Sequence, residues 1–395
     1  MIRLTTLHLR FVCFIKNSSM KKKILHLIND YNQSVYTKLL KNLDNDYENE
    51  VFIFNKNHSK FEVKFPNKTY HYFVNILFYT LLRIFIPYKN LIVSKKLKKV
   101  IKDSKYHLIH AHTLFSSGGS ARKLKKQVKY VVTVRSSDIN YIWKFFPWLR
   151  SYGRKILTDS EKVICLSPWQ KNKILGFFPD SQKKKIEKKI VVIPSGIDDF
   201  WFQDQLEYQE SAKKNTLLFV GELAPNKNVH MLIHVQSVLQ KRNINYDLKI
   251  IGGSNEKYIN ILYVYLLKLY VKIKKINVFF IGEVPDKAIL KCFYQSAKIF
   301  IMLSKKETFG LTYIESISQG TPIIYVENQG IDGLIKDGEV GLRVPHNNTE
   351  KIIQSIIKIN ENYNDLHKAC LVEKDNYSWY KIIISYYNLY SKILK

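Results

Sequence analysis

The chain is poor in cysteine and has no long uninterrupted apolar segment. Its 395 residues include four cysteines, Cys13, Cys165, Cys292 and Cys370, which lie far apart in the sequence. This spacing argues against a disulfide framework and is typical of a protein from a reducing compartment. No apolar run reaches the roughly 18 residues of a membrane-spanning helix, so no such helix is predicted.

Acidic residues are also scarce. Lys and Arg number 63 while Asp and Glu number 33, so the formal net charge is +30 at pH 7. Such a charge implies an anionic partner, which would be nucleic acid, acidic lipid or a phosphorylated substrate. The lysines are spread along the chain and no nucleic-acid-binding motif occurs, so we expect no nucleic-acid partner. A salt-sensitive nucleic-acid binder is the rival that charge alone motivates.

The length of 395 residues exceeds one ordinary core and indicates two domains. Residues 1–19 carry Arg3, His8 and Arg10 and no small-residue cleavage site, so a signal peptide is not predicted. Met20 begins a stretch that looks like a natural start. We therefore expect residues 1–19 to be a non-native or disordered extension, with an amphipathic membrane-touching segment as the alternative.

Short apolar strands alternate with helical patterns along the chain. The strands predicted in the first half are 23–28, 50–55, 108–112, 130–134, 162–166 and 190–193, with a helix over 35–43 after the first strand. Those predicted in the second half are 217–221, 248–252, 278–282, 299–303 and 322–326. This alternation predicts doubly wound α/β domains. The first turn lacks a G-x-G-x-x-G sequence, so the dinucleotide-binding fingerprint is absent.

Residues 70–92 are aromatic and aliphatic and precede a cluster of lysines at 95, 96, 98 and 99. The segment is too short and too interrupted to span a bilayer. An apolar face beside a lysine cluster suits an anionic membrane surface. A core helix with a solvated basic face is equally consistent with the pattern.

The segment 297–320 organises the second half of the chain. Its apolar run 299–303 suits a buried parallel strand, a polar turn follows, and a helical pattern begins near Leu311. Ligands bind at such strand ends in open α/β sheets. Gly310 would let the backbone approach a ligand closely, and the free N–H groups of a helix start favour a phosphate.

Two carboxylates, Glu307 and Glu315, bracket this turn. On one continuous helix they would lie about 12 Å apart, so they are placed to hold different parts of an extended ligand. A glycosidase pair, which must flank one bond at about 5–9.5 Å, ranks lower. The spacing alone is explained equally well if Glu307 is an exposed loop residue and Glu315 is a helix residue whose hydrogen bonds are made within the protein.

Several ordered motifs resemble those of the family 4 glycosyltransferases, which are retaining, nucleotide-sugar-dependent enzymes of the GT-B fold. The strongest is the segment from Glu307 to Glu315, and the resemblance covers roughly residues 20–395. The other motifs are IHAH (109–112), VTVRSSD (132–138), VIPSGID (192–198), VGEL with PNK (220–227), GTPII (320–324), DG with GL (337–342) and YSW (377–379).

The resemblance implies two Rossmann-like doubly wound domains that face each other across a cleft. The N-terminal, acceptor-side domain would comprise residues 20–198 and be followed by a linker over 199–214. The nucleotide-sugar-binding domain would comprise 215–372. A last helix, within 373–395, would return to the N-terminal domain.

The resemblance also implies the donor site. Glu315 would accept hydrogen bonds from the ribose hydroxyls, and Glu307 would hold hydroxyls of the donor sugar. Lys227 would neutralise the charge that develops on the departing diphosphate, although a lone lysine is otherwise a solvated surface charge. The other donor-binding residues implied are Gly221, Glu222, Gly282, Val284, Phe309, Gly310, Leu311 and Thr312.

Two residues depart from the family pattern. Glu222 stands where family members often carry an arginine, so one phosphate-binding cation is missing. Arg135 stands where they often carry a histidine; it cannot act as a base at neutral pH and would bind a phosphate or an acidic sugar. His112, Ser136 and Asp138 are implied on the acceptor side, with a capped strand-end histidine as the alternative for His112. The catalytic candidates are Glu307, Lys227, Arg135 and Asp138.

We expect a retaining transfer of a hexose from a nucleoside diphosphate sugar, of the UDP or GDP type, to a saccharide acceptor that is lipid-linked. No cofactor or metal is expected, since no Asp-x-Asp triplet stands in a plausible donor-side turn. The enzyme would build cell-surface polysaccharide, such as lipopolysaccharide or capsule, as a cytoplasmic protein peripheral to the inner face of an anionic membrane. The rivals are a nucleotide-sugar epimerase of the same fold, which needs no acceptor, and a non-catalytic nucleotide-sugar-binding protein.

Overall fold

The computed structural model describes residues 21–29, 33–55, 69–73, 85–203, 214–254 and 258–395. The prediction for residues 1–19 therefore lies outside the described residues, as does most of the predicted linker. The described chain forms two parallel-sheet α/β units, which confirms the doubly wound fold predicted from the alternation of strands and helices.

The N-terminal sheet has seven parallel strands in the order β3-β2-β1-β4-β5-β6-β7. Their bounds are β1 Lys22–Ile28, β2 Tyr47–Asn55, β3 Thr69–Phe73, β4 Leu108–Ala111, β5 Lys129–Thr133, β6 Lys162–Cys165 and β7 Ile190–Val192. Residues 70–92 were considered above as one aromatic and aliphatic stretch, but the first of them belong to the edge strand β3. Its residues pair with β2, and residues 74–84 lie outside the description.

The helices of this unit are α1 Gln33–Leu43, α2 Ile86–Asp103, α3 Gly119–Arg122, α4 Arg150–Asp159, α5 Pro168–Leu175 and α6 Asp180–Glu187. In α2 the lysines at 95, 96, 98 and 99 are exposed, while Val93 and Leu97 are buried. The α2 lysines thus form a solvated basic face on a helix that packs on the core. Two π-helical turns, Leu114–Gly118 and Asp138–Trp143, follow β4 and β5.

The C-terminal sheet has six parallel strands in the order β10-β9-β8-β11-β12-β13. Their bounds are β8 Lys214–Val220, β9 Asp247–Ile251, β10 Val278–Gly282, β11 Ala297–Ile301, β12 Ile323–Val326 and β13 Gly341–Val344. The helices are α7 Val229–Lys241, α8 Tyr258–Lys274, α9 Lys287–Ser296, α10 Leu311–Ser318, α11 Thr349–Glu361, α12 Tyr363–Glu373 and α13 Trp379–Leu394. Of the helices in the described ranges, none combines the length and apolar content that crossing a bilayer requires.

Each sheet reverses its strand order at one point. In the N-terminal sheet the reversal lies between β1 and β4, and in the C-terminal sheet it lies between β8 and β11. At such a point the loops from neighbouring strands turn to opposite faces and leave a crevice at the carboxyl ends. The loops that carry Gly221 and Glu307 follow β8 and β11, so the reversal in the second sheet brings them together.

The last helix, α13, packs on the N-terminal sheet rather than on the unit that precedes it. Trp379, Ile382 and Tyr390 are buried in one cluster with Ile24 of β1 and Val131 of β5. Each large apolar side chain buried in this way contributes about 1.5–3 kcal/mol. Burial of this helix therefore holds the two units together through the chain's C-terminus.

The connection between the units is more ordered at its start than its polar composition suggests. Residues Asp199–Phe202 form a 3-10 turn, and Trp201 is buried in the core of the second unit. The amide of Gln319 in the second unit donates to the carbonyl of Trp201 at 2.8 Å. Just before the turn, Asp198 accepts from Lys38 at 2.8 Å and from Lys287 at 2.9 Å, so one carboxylate links helices of both units.

Candidate active site

A pocket of about 310 Å³ lies between the two units. The second unit supplies the ends of β8 and β11 and the start of α10. The first unit supplies Arg135, Leu166 and Ser195. The residues on the C-terminal side are Val220, Gly221, Lys227, Met302, Glu307, Thr308, Phe309, Gly310, Leu311 and Thr312.

An ion pair occupies the C-terminal wall of this pocket. Nζ of Lys227 lies 2.7 Å from Oε2 of Glu307, and the two side chains are 18% and 11% exposed. Lys227 ends a 3-10 turn, Pro225–Lys227, whose last amide donates to the carbonyl of Ala224. The backbone of Glu307 donates to Oε1 of Gln329 at 3.1 Å. Both charged groups are thus positioned by their own backbones, and their side chains form an ion pair.

The loop from Glu307 into α10 forms a helix start suited to an anion. Gly310 has a φ of +83°, and a Cβ at this position would lie 2.5 Å from Cδ2 of Tyr313. Glycine is therefore required here. The first-turn amides of a helix have no intrahelical acceptor, and the helix dipole adds positive potential. Since Leu311 and Thr312 line the pocket, their end of α10 is placed to bind a phosphate.

Gly221 lines this pocket and also an adjoining one of about 440 Å³. A Cβ at Gly221 would meet only the Phe219 ring, at 3.4 Å, so the protein's own packing does not require glycine here. A glycine at this position leaves the backbone open to the pocket, which suits the close approach of a ligand.

The adjoining pocket places Glu222 and Val284 away from the ion pair. Its lining also includes Gly252, Gly253 and Glu283. Oε1 of Glu222 accepts from Nδ2 of Asn260 at 3.3 Å, so this carboxylate has a partner in α8. Gly282, predicted with this group, does not line either pocket. It ends β10 with a φ of +90°, and its carbonyl accepts from Gly252, so its contribution is to shape the strand end.

Glu315 lies in α10 but lines neither of these two pockets. Oε2 of Glu315 accepts from the hydroxyl of Tyr294 at 3.0 Å. Burial raises the pKa of the Glu315 carboxyl to about 7, although the Tyr294 hydroxyl and Lys287 oppose the rise. The two predicted glutamates therefore have different environments: Glu307 is paired with a cation, and Glu315 is in a desolvated site.

The opposite wall presents Arg135. Nε of Arg135 donates to the carbonyl of His112 at 3.2 Å, and Nη2 donates to the hydroxyl of Tyr36 at 3.3 Å. The guanidinium is thus oriented by the ends of β4 and α1 while it lines the pocket that holds Lys227. Two cations and one carboxylate line this pocket among the described residues.

Asp138 is predicted both as a catalytic candidate and as an acceptor-side residue. It is buried, and its carboxylate accepts the backbone amides of Leu114 at 2.9 Å, Phe115 at 3.3 Å and Arg135 at 2.9 Å. Burial raises the pKa of Asp138, while these amides lower it. Its oxygens are thus engaged in fixing two loops, and it acts as a positioning residue for Arg135. Ser136 is also buried, accepts from Asn140 at 2.8 Å and lies outside the pocket.

His112 belongs to a buried cluster with His26 and His110. Nε2 of His112 lies 3.0 Å from Nδ1 of His26, and His110 lies 2.6 Å from the Tyr390 hydroxyl and 2.8 Å from Oγ1 of Thr133. In the described chain these three histidines form the group whose nitrogens, within 4.8 Å of one another, could hold a metal ion. Five of the six ring nitrogens already have protein partners, Nδ1 of His112 being the exception.

Burial dominates the electrostatics of this cluster. It lowers the pKa of His26 to about 4 and lowers the pKa of His110 and His112 well below the usual range. The histidines are therefore neutral at physiological pH. They form a hydrogen-bonded network beneath α13, and His112 contacts the site through its backbone carbonyl.

A third pocket, of about 430 Å³, lies wholly in the first unit on the acceptor side. Asp138 and Ser137 lie on its floor with Lys89, whose Nζ donates to Oγ of Ser116 at 2.6 Å. Tyr141, Ile142 and Phe146 add an apolar wall. Exposed aromatic rings continue nearby at Phe145 and Trp148, so this pocket pairs a polar lining, with one lysine and one carboxylate, with an aromatic rim.

Some site residues were not among the predicted ones. Ser195 and Leu166 line the cleft from strand ends, and the strand-end position of the VIPSGID motif was the signal for Ser195. Gln170 donates to the carbonyl of Thr308 at 3.1 Å and joins the two walls. No sequence pattern indicated Gln170 or Gln329, because each acts through one long-range contact to backbone.

Comparisons with known proteins agree with this geometry. The family model "Glycosyltransferase Family 4" matches residues 34–199, and "Glycosyl transferases group 1" matches residues 202–370. An uncharacterized glycosyltransferase of Methanocaldococcus jannaschii is 25% identical over 309 residues, which cover 75% of this chain and 78% of that protein. The alpha-monoglucosyldiacylglycerol synthase of Streptococcus pneumoniae is 30% identical over 268 residues, which cover 62% of this chain and 57% of that protein.

Among solved structures, Anabaena HepE in complex with UDP superimposes with a TM-score of 0.71 at 14% identity, covering 94% of this chain and 100% of that one. The likeness confirms the predicted GT-B architecture. The two family models adjoin each other and together span most of the chain, on two parallel sheets that face one cleft. The chain therefore belongs to the group 1 and family 4 glycosyltransferases of the GT-B fold, and it is a transferase enzyme.

Proposed function

We propose that this enzyme transfers a hexose from a UDP-sugar to a lipid-linked saccharide, with retention of anomeric configuration, in the assembly of cell-surface polysaccharide at the inner face of the membrane. The observation that carries the proposal is the Lys227–Glu307 pair at the start of α10, in a pocket that both units line. This arrangement puts a cation, a helix start and a carboxylate within one small volume.

The donor fits this pocket by charge. The diphosphate would lie at the amides of Leu311 and Thr312, where the helix start favours anions. Lys227 would then exchange its contact with Glu307 for one with the diphosphate and stabilise the leaving group as its charge grows. Glu307, released from the lysine, would accept hydroxyls of the hexose. The nucleoside would extend past Gly221 into the adjoining pocket, whose lining includes Val284.

Arg135 supports a transfer that needs no metal ion. It lines the same pocket as Lys227 from the other unit, so it supplies the second cation that a diphosphate leaving group needs. We therefore expect EDTA to leave the activity unchanged.

Retention is supported by what the pocket contains. Among the described residues of its lining, Glu307 is the carboxylate, and it is paired with a cation on the donor wall. The acceptor wall offers Arg135, Leu166 and Ser195 and so presents no strong base to an acceptor hydroxyl, which an inverting reaction would use. Departure of the diphosphate and attack on the same face of the sugar would preserve the configuration.

The acceptor fits the third pocket. Its polar lining at Lys89 and Ser137 suits the hydroxyls of a lipid-linked saccharide, and its aromatic rim suits sugar faces and the start of a lipid. The name of the Streptococcus pneumoniae relative gives that enzyme a glucosyl group and a diacylglycerol. By analogy we assign this chain a hexose donor and a lipid-linked acceptor.

The test begins with a thermal-shift panel of UDP, GDP and ADP, each with and without EDTA. UDP at about 100 times its dissociation constant should add roughly 2.7 kcal/mol of stability. UDP-hexoses that also stabilise the protein are then incubated with lipid extracts, and the product linkage is determined by NMR. A shift with GDP alone would overturn the UDP assignment. Conversion of the nucleotide sugar without any acceptor would indicate an epimerase, and an inverted product would refute retention.

A further inference from the structure

Helix α8 presents an apolar face to solvent. Only Asn260 and Leu267 of its 17 residues are buried. Exposed positions along it include Ile259 at 62%, Leu262 at 52% and Ile273 at 66%. A helix that packs on a sheet normally turns its apolar side inward and its polar side outward. In α8 the outward side is apolar as well.

The exposed apolar residues follow the helix period. Ile259, Leu262, Leu266, Leu269 and Ile273 recur every three or four residues, so they lie along one line of the helix surface. We call these five residues the α8 surface. The edge strand β10 adds exposed Phe279 and Ile281 in the same unit.

The charged side chains of α8 and of the segment that follows it are of one sign. From residue 258 to 282 the chain has no aspartate or glutamate and four lysines, Lys268, Lys272, Lys274 and Lys275. All four lysines are exposed. An apolar line flanked by lysines, whose stems can lie along acyl chains while their ammonium groups reach phosphates, suits the surface of an anionic bilayer.

A second copy of the chain is a poorer occupant. The spacing of the five residues resembles a coiled-coil seam, but pairing two α8 helices would bring lysines against lysines without an acidic partner from this segment. With a net charge of +30 on each copy, self-association would be opposed over longer distances too. An anionic lipid surface satisfies both the apolar line and the lysines.

We propose that the α8 surface docks this enzyme on an anionic lipid bilayer. The docking surface adjoins the donor side of the enzyme, because Asn260 in the first turn of α8 donates to Glu222 in the wall of the pocket beside Gly221. Docking of this kind does not require transfer to take place, so it can be measured without donor or acceptor.

The experiment is sedimentation with vesicles of phosphatidylcholine alone or of equal parts phosphatidylcholine and phosphatidylglycerol. The first variant carries Leu262→Gln, Leu266→Gln and Ile273→Gln. Its matched control carries Ile357→Gln, Val372→Gln and Ile384→Gln, which replace exposed apolar residues elsewhere. A second variant, Lys272→Gln with Lys274→Gln, is compared with Lys351→Gln with Lys358→Gln on α11. The UDP thermal shift reports folding and donor binding for every variant.

We expect the wild type to bind the anionic vesicles and not the neutral ones. The α8 triple variant should bind the anionic vesicles at least about tenfold more weakly than the wild type. Loss of each lysine in the second variant should weaken this binding about fivefold. Both control variants should bind as the wild type does. Equal binding to neutral vesicles would overturn the anionic partner. Wild-type binding by the triple variant, or no vesicle binding by the wild type, would overturn the docking surface. A dimer in light scattering that the triple variant dissolves would show that a second copy covers it instead.

Discussion

Lys227→Ala and Glu307→Gln should change the affinity for UDP in opposite directions. The two side chains are paired at 2.7 Å in the cleft, so a bound diphosphate must compete with Glu307 for the lysine. Removing Lys227 deprives the diphosphate of a cation and leaves Glu307 as an unpaired negative charge. Removing the charge of Glu307 frees Lys227 for the diphosphate.

The expected size follows from the contact. A hydrogen bond to a charged group contributes about 1.5–3 kcal/mol, so Lys227→Ala should weaken UDP binding about 10- to 100-fold. At a UDP concentration about 100 times the wild-type dissociation constant, the stabilisation should fall from about 2.7 kcal/mol to about 0.4–1.4 kcal/mol. Glu307→Gln should exceed the wild-type stabilisation, while transfer of the hexose falls.

The assay is thermal unfolding of each variant with and without UDP. Each variant removes an ion pair from a largely buried place and so changes the stability of the free protein, and for this reason only the increment that UDP adds is compared. Lys305→Ala, an exposed lysine in the same loop, is the control and should behave as the wild type does. An undiminished UDP increment in Lys227→Ala, or a lost increment in Glu307→Gln, would refute the assignment of the pair to the diphosphate.

Three further predictions concern stability and pH. Burial raises the pKa of Glu315 from 4.5 to about 7. Between these two pH values the native state holds a proton that the unfolded state releases. This group therefore favours the native state increasingly as pH falls from about 7 toward 4.5. Glu315→Gln should therefore stabilise the protein by about 1–3 kcal/mol more at pH 8 than at pH 5 in urea unfolding, whereas the exposed Glu361→Gln should show no such difference. Burial raises the pKa of Asp198, but bonds from Lys38 and Lys287 outweigh it and hold that pKa well below 3.8. Its contribution is thus fully present above about pH 4 and is lost progressively as pH falls from there through the depressed native pKa. Asp198→Asn should cost about 1–2 kcal/mol at pH 7, and a cost that does not decrease steadily below pH 4 would contradict this reasoning. The buried histidines have pKa values lowered from 6.5, so stability should fall as pH drops below about 6.5. His112→Asn should reduce that slope by about one proton, or about 1.4 kcal/mol per pH unit, and His346→Asn is the control; equal slopes would show that His112 is not held neutral.

The apolar runs predicted most of the fold because a parallel strand covered on both faces is marked by continuous hydrophobicity. The runs at 299–303 and 217–221 correspond to β11 and β8 within a few residues. Two of the four edge strands, β3 and β13, escaped prediction, whereas the edge strands β7 and β10 were predicted. β3 begins in a stretch whose aromatic content continues beyond it, and β13, GLRV, is short and buried only at its two ends. Neither segment therefore stands out in the sequence as a separate apolar run.

The site was predictable where one motif carries several residues, as from Glu307 to Thr312. It was less predictable where a side chain's partner is backbone. Asp138 stands at a strand end, as catalytic carboxylates do, but three amides engage it. The α8 surface was missed because a helix that is apolar on every side is normally a buried one, and only the packing shows which side is left open.

The two departures from the family pattern are best understood together. Glu222 looked like a loss of phosphate-binding charge, and Arg135 looked like the loss of a histidine near the reacting sugar. Glu222 bonds to Asn260 and lines the adjoining pocket, while Lys227 lines the pocket between the units. Arg135 lines the pocket of Lys227 from the opposite unit, held by the His112 carbonyl and the Tyr36 hydroxyl. A cation absent from one wall is thus matched by a cation on the other, and closure of the cleft would bring both to the same diphosphate.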